Sequence, residues 1–187
     1  NNNDMSFKLD GVDVCVANAL RRTLLSDIPN VVIRTLPVDK NDAHFTINTT
    51  RFNNEILKQR LSCIPIHITD LSVPIAQMQL EVDVENKSTE FMYITTEDIK
   101  IKNTTTEEYL NIDDVREIFP ANPQTGYFID IVRLRPKLSP DTPGERLAFT
   151  AKMSIGTADD SSMYNVVSTC SYGNTQDMEE VALQSKI

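Results

Sequence analysis

The sequence predicts an α+β fold, and three observations carry that reading. Helical spacing is concentrated near the N-terminus. The stretch from about residue 79 to residue 172 alternates apolar and polar residues between turn clusters. The resulting order is strand, helix, strand, helix, a long antiparallel β region and a helix start, which is not the regular alternation of a parallel α/β sheet.

Residues 6–9, with Phe7 and Leu9 on one side, read as a short strand broken by Gly11. Asp13 is a plausible N-cap for a helix from about Val14 to Asp27, because Pro29 pushes Ile28 out of helical geometry. Residues 31–38 read as a strand. In residues 50–61 Phe52, Ile56, Leu57 and Leu61 recur at helical spacing, so a second helix is expected there. Pro65 forces an extended stretch after it, with Ile64, Ile66 and Ile68 as a buried strand face. Residues 79–85 alternate Leu80, Val82 and Val84 with polar side chains, turn at 86–88 and return through Phe91 and Tyr93. Residues 99–128 are loop-rich, with a short helix near 111–119. Residues 128–135 form another strand, and 139–145 a turn. Leu147, Phe149, Ala151, Met153 and Ile155 give the cleanest period-two pattern, expected to point inward. Residues 165–172 read as the last strand, and residues 177–187 begin a helix.

Composition narrows the function. With 40% hydrophobic and 24% charged residues, the chain can bury a core. A net charge of −9 gives it no long-range attraction to nucleic acid. No apolar run approaches the roughly 20 residues of a membrane helix, and residues 1–10 do not resemble a signal peptide. Three scattered cysteines, Cys15, Cys63 and Cys170, argue for a reducing compartment. An intracellular protein is expected. The acidic pairs Glu107-Glu108, Asp113-Asp114, Asp159-Asp160 and Glu179-Glu180 read as solvated loops and helix ends. No glycine motif for a phosphate is present, and His67 after Cys63 is too little for a metal, so neither metal nor cofactor is expected.

Asn18-Ala19-Leu20-Arg21-Arg22 therefore stands out. On a helical wheel Val16, Ala17, Ala19, Leu20, Leu24 and Ile28 form a broad core face, and Asn18, Arg22 and Leu25 lie opposite, with Arg21 at the edge. An amide, a guanidinium and a leucine in a line suit a protein interface. They also fit an ordinary exposed face with surface salt bridges, and the wheel leaves both readings open.

Residues 12–29, VDVCVANALRRTLLSDIP, resemble the signature of the alpha-type assembly subunits of RNA polymerase: bacterial alpha, its archaeal counterpart and the third-largest subunit of eukaryotic RNA polymerase II. Residues 55–68, EILKQRLSCIPIHI, resemble the family's helix with R-L-G-L-I-P. Residues 93–101, YITTEDIKI, resemble its V-x-S/T-x-D-L strand, and residues 154–172 its G-x-A-x-x-H-A-K-W stretch. Ser62-Cys63 replaces Gly-Leu, Ser161-Ser162-Met163-Tyr164 replaces His-Ala-Lys-Trp, and the metal-binding cysteine clusters of some relatives are missing. RLSCIPIHI and NVVSTCSYGNT look most like versions from large DNA viruses.

The resemblance implies a dimerisation domain of strands and helices (residues 1–39 plus 174–187, incomplete at its C-terminal end) and an inserted, mostly antiparallel β domain (residues 40–173). It implies a non-catalytic chain without cofactor that dimerises with a small alpha-like subunit, fused to the same polypeptide in some viral forms. That pair would dock the second-largest and largest polymerase subunits. Leu20, Leu24 and Ile28 would pack the dimer and its core. Asn18, Arg21, Arg22, Leu25, Arg60, Ile64 and Pro65 would meet the large-subunit side. If viral, the protein would work in host cytoplasm or nucleus, or in the virion. A bacterial-type homodimer, a β-rich binding module outside the polymerase and an enzyme with an unrecognised site are the alternatives.

Overall fold

The computed structural model describes residues 4–137, 139 and 142–175. The helix start expected at 177–187 lies outside them. The elements are α1 (Val14–Ser26), β1 (Asn30–Val32), β2 (Ala43–Asn48), α2 (Asn54–Ser62), β3 (Met78–Glu85), β4 (Met92–Thr95), β5 (Lys100–Asn103), α3 (Ile112–Ile118), β6 (Asp130–Leu134), β7 (Arg146–Lys152) and β8 (Ser154–Gly156). The mixed helix and antiparallel-sheet architecture is the α+β class expected.

Asp13 caps α1 by accepting the Cys15 amide at 2.8 Å, and those hydrogen bonds hold its carboxyl below its ordinary pKa. Asn53 caps α2 by accepting the Ile56 amide at 2.9 Å, so the helix begins at Asn54 rather than residue 50. Every strand pair is antiparallel. A four-stranded sheet runs β2-β7-β3-β5, and two-stranded sheets pair β4 with β6 and β1 with β8. The inner face of the large sheet supplies Leu80, Val82, Ile101, Leu147, Phe149 and Ala151 to one core. Ile94, Ile131, Leu134, Leu57 and Leu61 join it from β4, β6 and α2.

Several expected strands are absent or shorter. Residues 6–9 and 165–172 have no ladder partner among the described residues and form no strand. The strand expected at 31–38 stops at Val32; Pro37, which lacks an N–H, lies beyond it. Residues 64–68 pair with no strand, although Ile64 and Ile66 are buried while Cys63, Pro65 and His67 are exposed. The His67 amide there donates to the Ile118 carbonyl at 3.0 Å. Leu147, Phe149, Ala151 and Met153 do point inward, but Ile155 has passed into β8 and is exposed. The strand β2 falls where no strand was expected, and β5 begins within the 93–101 stretch and runs into residues read as loop-rich.

The motif at 93–101 has a local cause. Thr95 and Asp98 form a capping box around a single helical turn at Thr96–Asp98, which lets the chain leave β4 and enter β5. The β1–β8 pair sets residues 154–156 beside residues 30–32. Asp160 accepts from Arg34 at 3.3 Å, so this member of an acidic pair is tied to β1's exit rather than merely solvated.

Candidate interaction surface

The helix α1 buries none of its residues. This corrects the core face expected for Leu20, Leu24 and Ile28: Leu24 and Ile28 are half-buried and Leu20 is 38% exposed. The physical reason is coverage. Among the described residues, the arm at residues 5–13 and the segment at 169–175 line one groove with Val14, Ala17, Leu20 and Arg21, and the Asp159 amide donates to the Ser26 carbonyl at the helix end. Met5, Phe7, Leu9, Val12, Val14 and Val16 are all exposed around that groove. Clustered apolar exposure of this kind marks an association surface.

The polar face is divided as well. Arg21 and Asn18 are half-buried and joined, with Arg21 Nε and Nη2 donating to Asn18 Oδ1 at 3.2 and 3.0 Å. Leu25 is half-buried beside them in sequence register. Arg22 is exposed, and its guanidinium has no hydrogen-bond or ion-pair partner among the described residues. Ser26 Oγ donates to the Arg22 carbonyl at 2.9 Å and so closes the last turn. The Asp27 amide donates to the Thr23 carbonyl at 2.9 Å.

The second group of expected residues separates by role. Ile64 points into the core and offers no side chain to a partner, because burial alternates along this extended stretch. Pro65 is exposed. Arg60 is bound within the chain: Nε donates to the Ile131 carbonyl and Nη2 to the Asp130 carbonyl, each at 2.7 Å. It fastens α2 to β6. Tyr164, standing where the resembled stretch has Trp, is buried under β8, and that burial raises its hydroxyl pKa. Its ring sits so close to Gly156 that a Cβ there would lie 3.1 Å from Cδ2. Sequence reading missed this packing, although an aromatic retained at that position was the available signal.

Among the described residues no cluster of three or more His, Cys, Asp or Glu side chains is arranged to hold a metal ion. No described helix is long and apolar enough to cross a membrane.

An α+β chain whose first helix buries no residue and whose arm exposes apolar side chains among the described residues has the surface of a protein built for association. The chain belongs to the RNA polymerase Rpb3/Rpb11 dimerisation domain family, whose sequence model matches residues 6–119. It is 26% identical over 166 residues to DNA-directed RNA polymerase subunit Rpo3 of Methanosphaera stadtmanae, covering 89% of this chain and 55% of that protein. It is 30% identical over 161 residues to Rpo3 of Thermococcus kodakarensis, covering 83% and 50%. It is 37% identical over 65 residues to RPAC1, a subunit of DNA-directed RNA polymerases I and III, of Homo sapiens, covering 35% and 17%. The chain spans about half the length of the Rpo3 relatives it matches.

Proposed function

We propose that this chain is a non-catalytic assembly-platform subunit of a DNA-directed RNA polymerase. The observation that carries the reading is the uncovered α1 surface. An apolar arm and helix side lie next to an arginine whose guanidinium has no partner among the described residues, on a sequence that belongs to a polymerase dimerisation family. The apolar side, with Leu20, Leu24 and Ile28, would pair with a small alpha-like subunit. Arg22, flanked by the Asn18–Arg21 pair and Leu25, would meet the second-largest subunit, and Pro65 would add a contact. The largest subunit would then join the assembled platform.

The proposed division is residues 1–39 with 174–187 for dimerisation and 40–173 for the insertion, with β8 of the second range pairing with β1 of the first. The chain itself would need no cofactor and would act inside the cell, in host cytoplasm, nucleus or virion if its source is a large DNA virus.

The test is affinity purification of the tagged chain from its source, with co-purifying proteins identified by mass spectrometry. Two large polymerase subunits and a small alpha-like partner in stoichiometric amounts are the expected result. Recovery of the chain alone would overturn the reading. A homodimer carrying both large subunits would replace the small partner with a second copy.

A further inference from the structure

The sheet of β4 and β6 carries an outward strip built from aromatic rings and arginines. Tyr93 and Arg133 are register partners across the two strands. Phe91 stands two residues before Tyr93 and shares its side. The Arg133 guanidinium lies over the Phe91 ring, 4.8 Å from its centroid. Phe91 is 57% and Tyr93 50% exposed. At the next point along β6, Arg60 holds the carbonyls of Asp130 and Ile131 and lies 5.7 Å from the Phe52 ring.

Arg133 differs from the other arginines around these sheets. Arg34 pairs with Asp160, Arg116 with Glu97, Arg135 with Glu145 and Arg146 with Asp83. The Arg133 guanidinium forms no hydrogen bond or ion pair among the described residues, in a chain of net charge −9. The flanking carboxylates of Glu90 and Asp130 do not engage it. Stacking on a ring holds the guanidinium fork in place with its donors free, the arrangement suited to a two-point contact with a carboxylate. Exposed Arg beside Tyr and Phe is also the composition that concentrates binding energy at interfaces.

The backbone adds a direction. Among the described residues this sheet has two strands. Arg60 occupies two carbonyls of β6, whereas among the described residues β4 carries no strand on its outer edge. An extended segment laid along β4 would pair with its main chain and pass its side chains over Phe91, Tyr93 and Arg133.

We propose that this strip docks an acidic, extended segment of one of the two large polymerase subunits, with a carboxylate seated on Arg133. This inference rests on the assembly role proposed above, and its test separates the two. A photo-crosslinking amino acid is placed at position 93, and in a second preparation at position 22, of the full tagged chain purified in its complex. Position 44, on the outer face of the four-stranded sheet, serves as control. The position-93 crosslink is expected on a large-subunit peptide with Asp or Glu within about two residues of the joined site. Arg133→Glu should lower that yield about tenfold, as for loss of an interface anchor, with Arg133→Lys intermediate and the position-22 crosslink unchanged. A position-22 crosslink without one from 93, a joined peptide lacking carboxylates, or indifference to both Arg133 variants would sink the strip while leaving the assembly role standing. Failure of both positions to reach a large subunit would overturn both.

Discussion

The carbonyl oxygen of Asn86 lies where a side chain on Gly144 would have to begin: a Cβ at 144 would be 1.8 Å from Asn86 O. Asn86 itself is fully buried. Its amide nitrogen donates to the carbonyls of Glu90 and Leu134, and its side-chain oxygen accepts from the amide and hydroxyl of Ser88. Its backbone N–H donates to the Glu145 carbonyl at 2.9 Å. This knot joins the β3–β4 turn, the end of β6 and the start of β7.

Gly144→Ala should therefore destabilise the fold, because the atom in the way is backbone and cannot swing aside. Overpacking of this kind costs about 1–3 kcal/mol. Asn86→Ala should cost at least as much, since it strands buried carbonyls and amides at about 1–3 kcal/mol each. Thermal unfolding of the two variants checks this; a midpoint equal to wild type for Gly144→Ala would show that the two segments separate easily.

Arg60→Ala should lower stability while leaving α1 intact, because Arg60 serves two β6 carbonyls rather than a partner. Its exposure holds the loss to about 1 kcal/mol. Arg60→Lys should recover little, as an ammonium cannot reproduce the fork. Denaturant unfolding reads the loss, and an unchanged midpoint for the alanine variant would return Arg60 to the docking surface.

Arg22→Ala should leave stability within about 0.5 kcal/mol of wild type, the ordinary range for an exposed residue. It should weaken capture of the second-largest subunit by more than about 2 kcal/mol if Arg22 anchors that contact. Leu20→Asp should fold normally and fail to pair with the small partner. Size-exclusion chromatography with the purified partners, beside circular dichroism, distinguishes these losses. Normal assembly by Arg22→Ala would remove the proposed anchor.

The acid limb of stability should depend on Asp83. Hydrogen bonds from Arg146 hold its carboxyl below the ordinary value of 3.8, and Arg146 is raised in turn. A depressed carboxyl contributes stability that is present above its unfolded pKa and lost as pH falls through its folded one. Asp83→Asn should flatten the stability profile below about pH 4, with little change near neutrality in slope. Chemical denaturation at a series of acid pH values tests it, and an unaltered acid slope would assign the limb to Asp13 or Asp70, which are depressed by hydrogen bonds to Cys15 and Ser72.

Local signals in the sequence were enough for α1, α2, β3 and β7. Asp13 and Pro29 bracket α1 by cap and stop chemistry, and the alternation of Leu80, Val82 and Val84 needs no knowledge of neighbours. The strip at Phe91, Tyr93 and Arg133 was not legible, because its members meet only through the β4–β6 register. Arg60 illustrates the same limit: its residue type announced an interface, but only the position of β6 shows that its donors are already used within the chain.

By itself the sequence determined the α+β class, the Asp13 cap, the motif helix with its two arginines and the resemblance that family membership bears out. These follow from interactions within a few residues, or from a pattern carried in the order of residues. The tertiary structure decided which sides of that helix are covered, that Arg60 spends its donors on β6 carbonyls and that residues 6–9 and 165–172 form no strand. Burial and strand pairing depend on what another segment brings alongside, and among the described residues nothing fully covers α1.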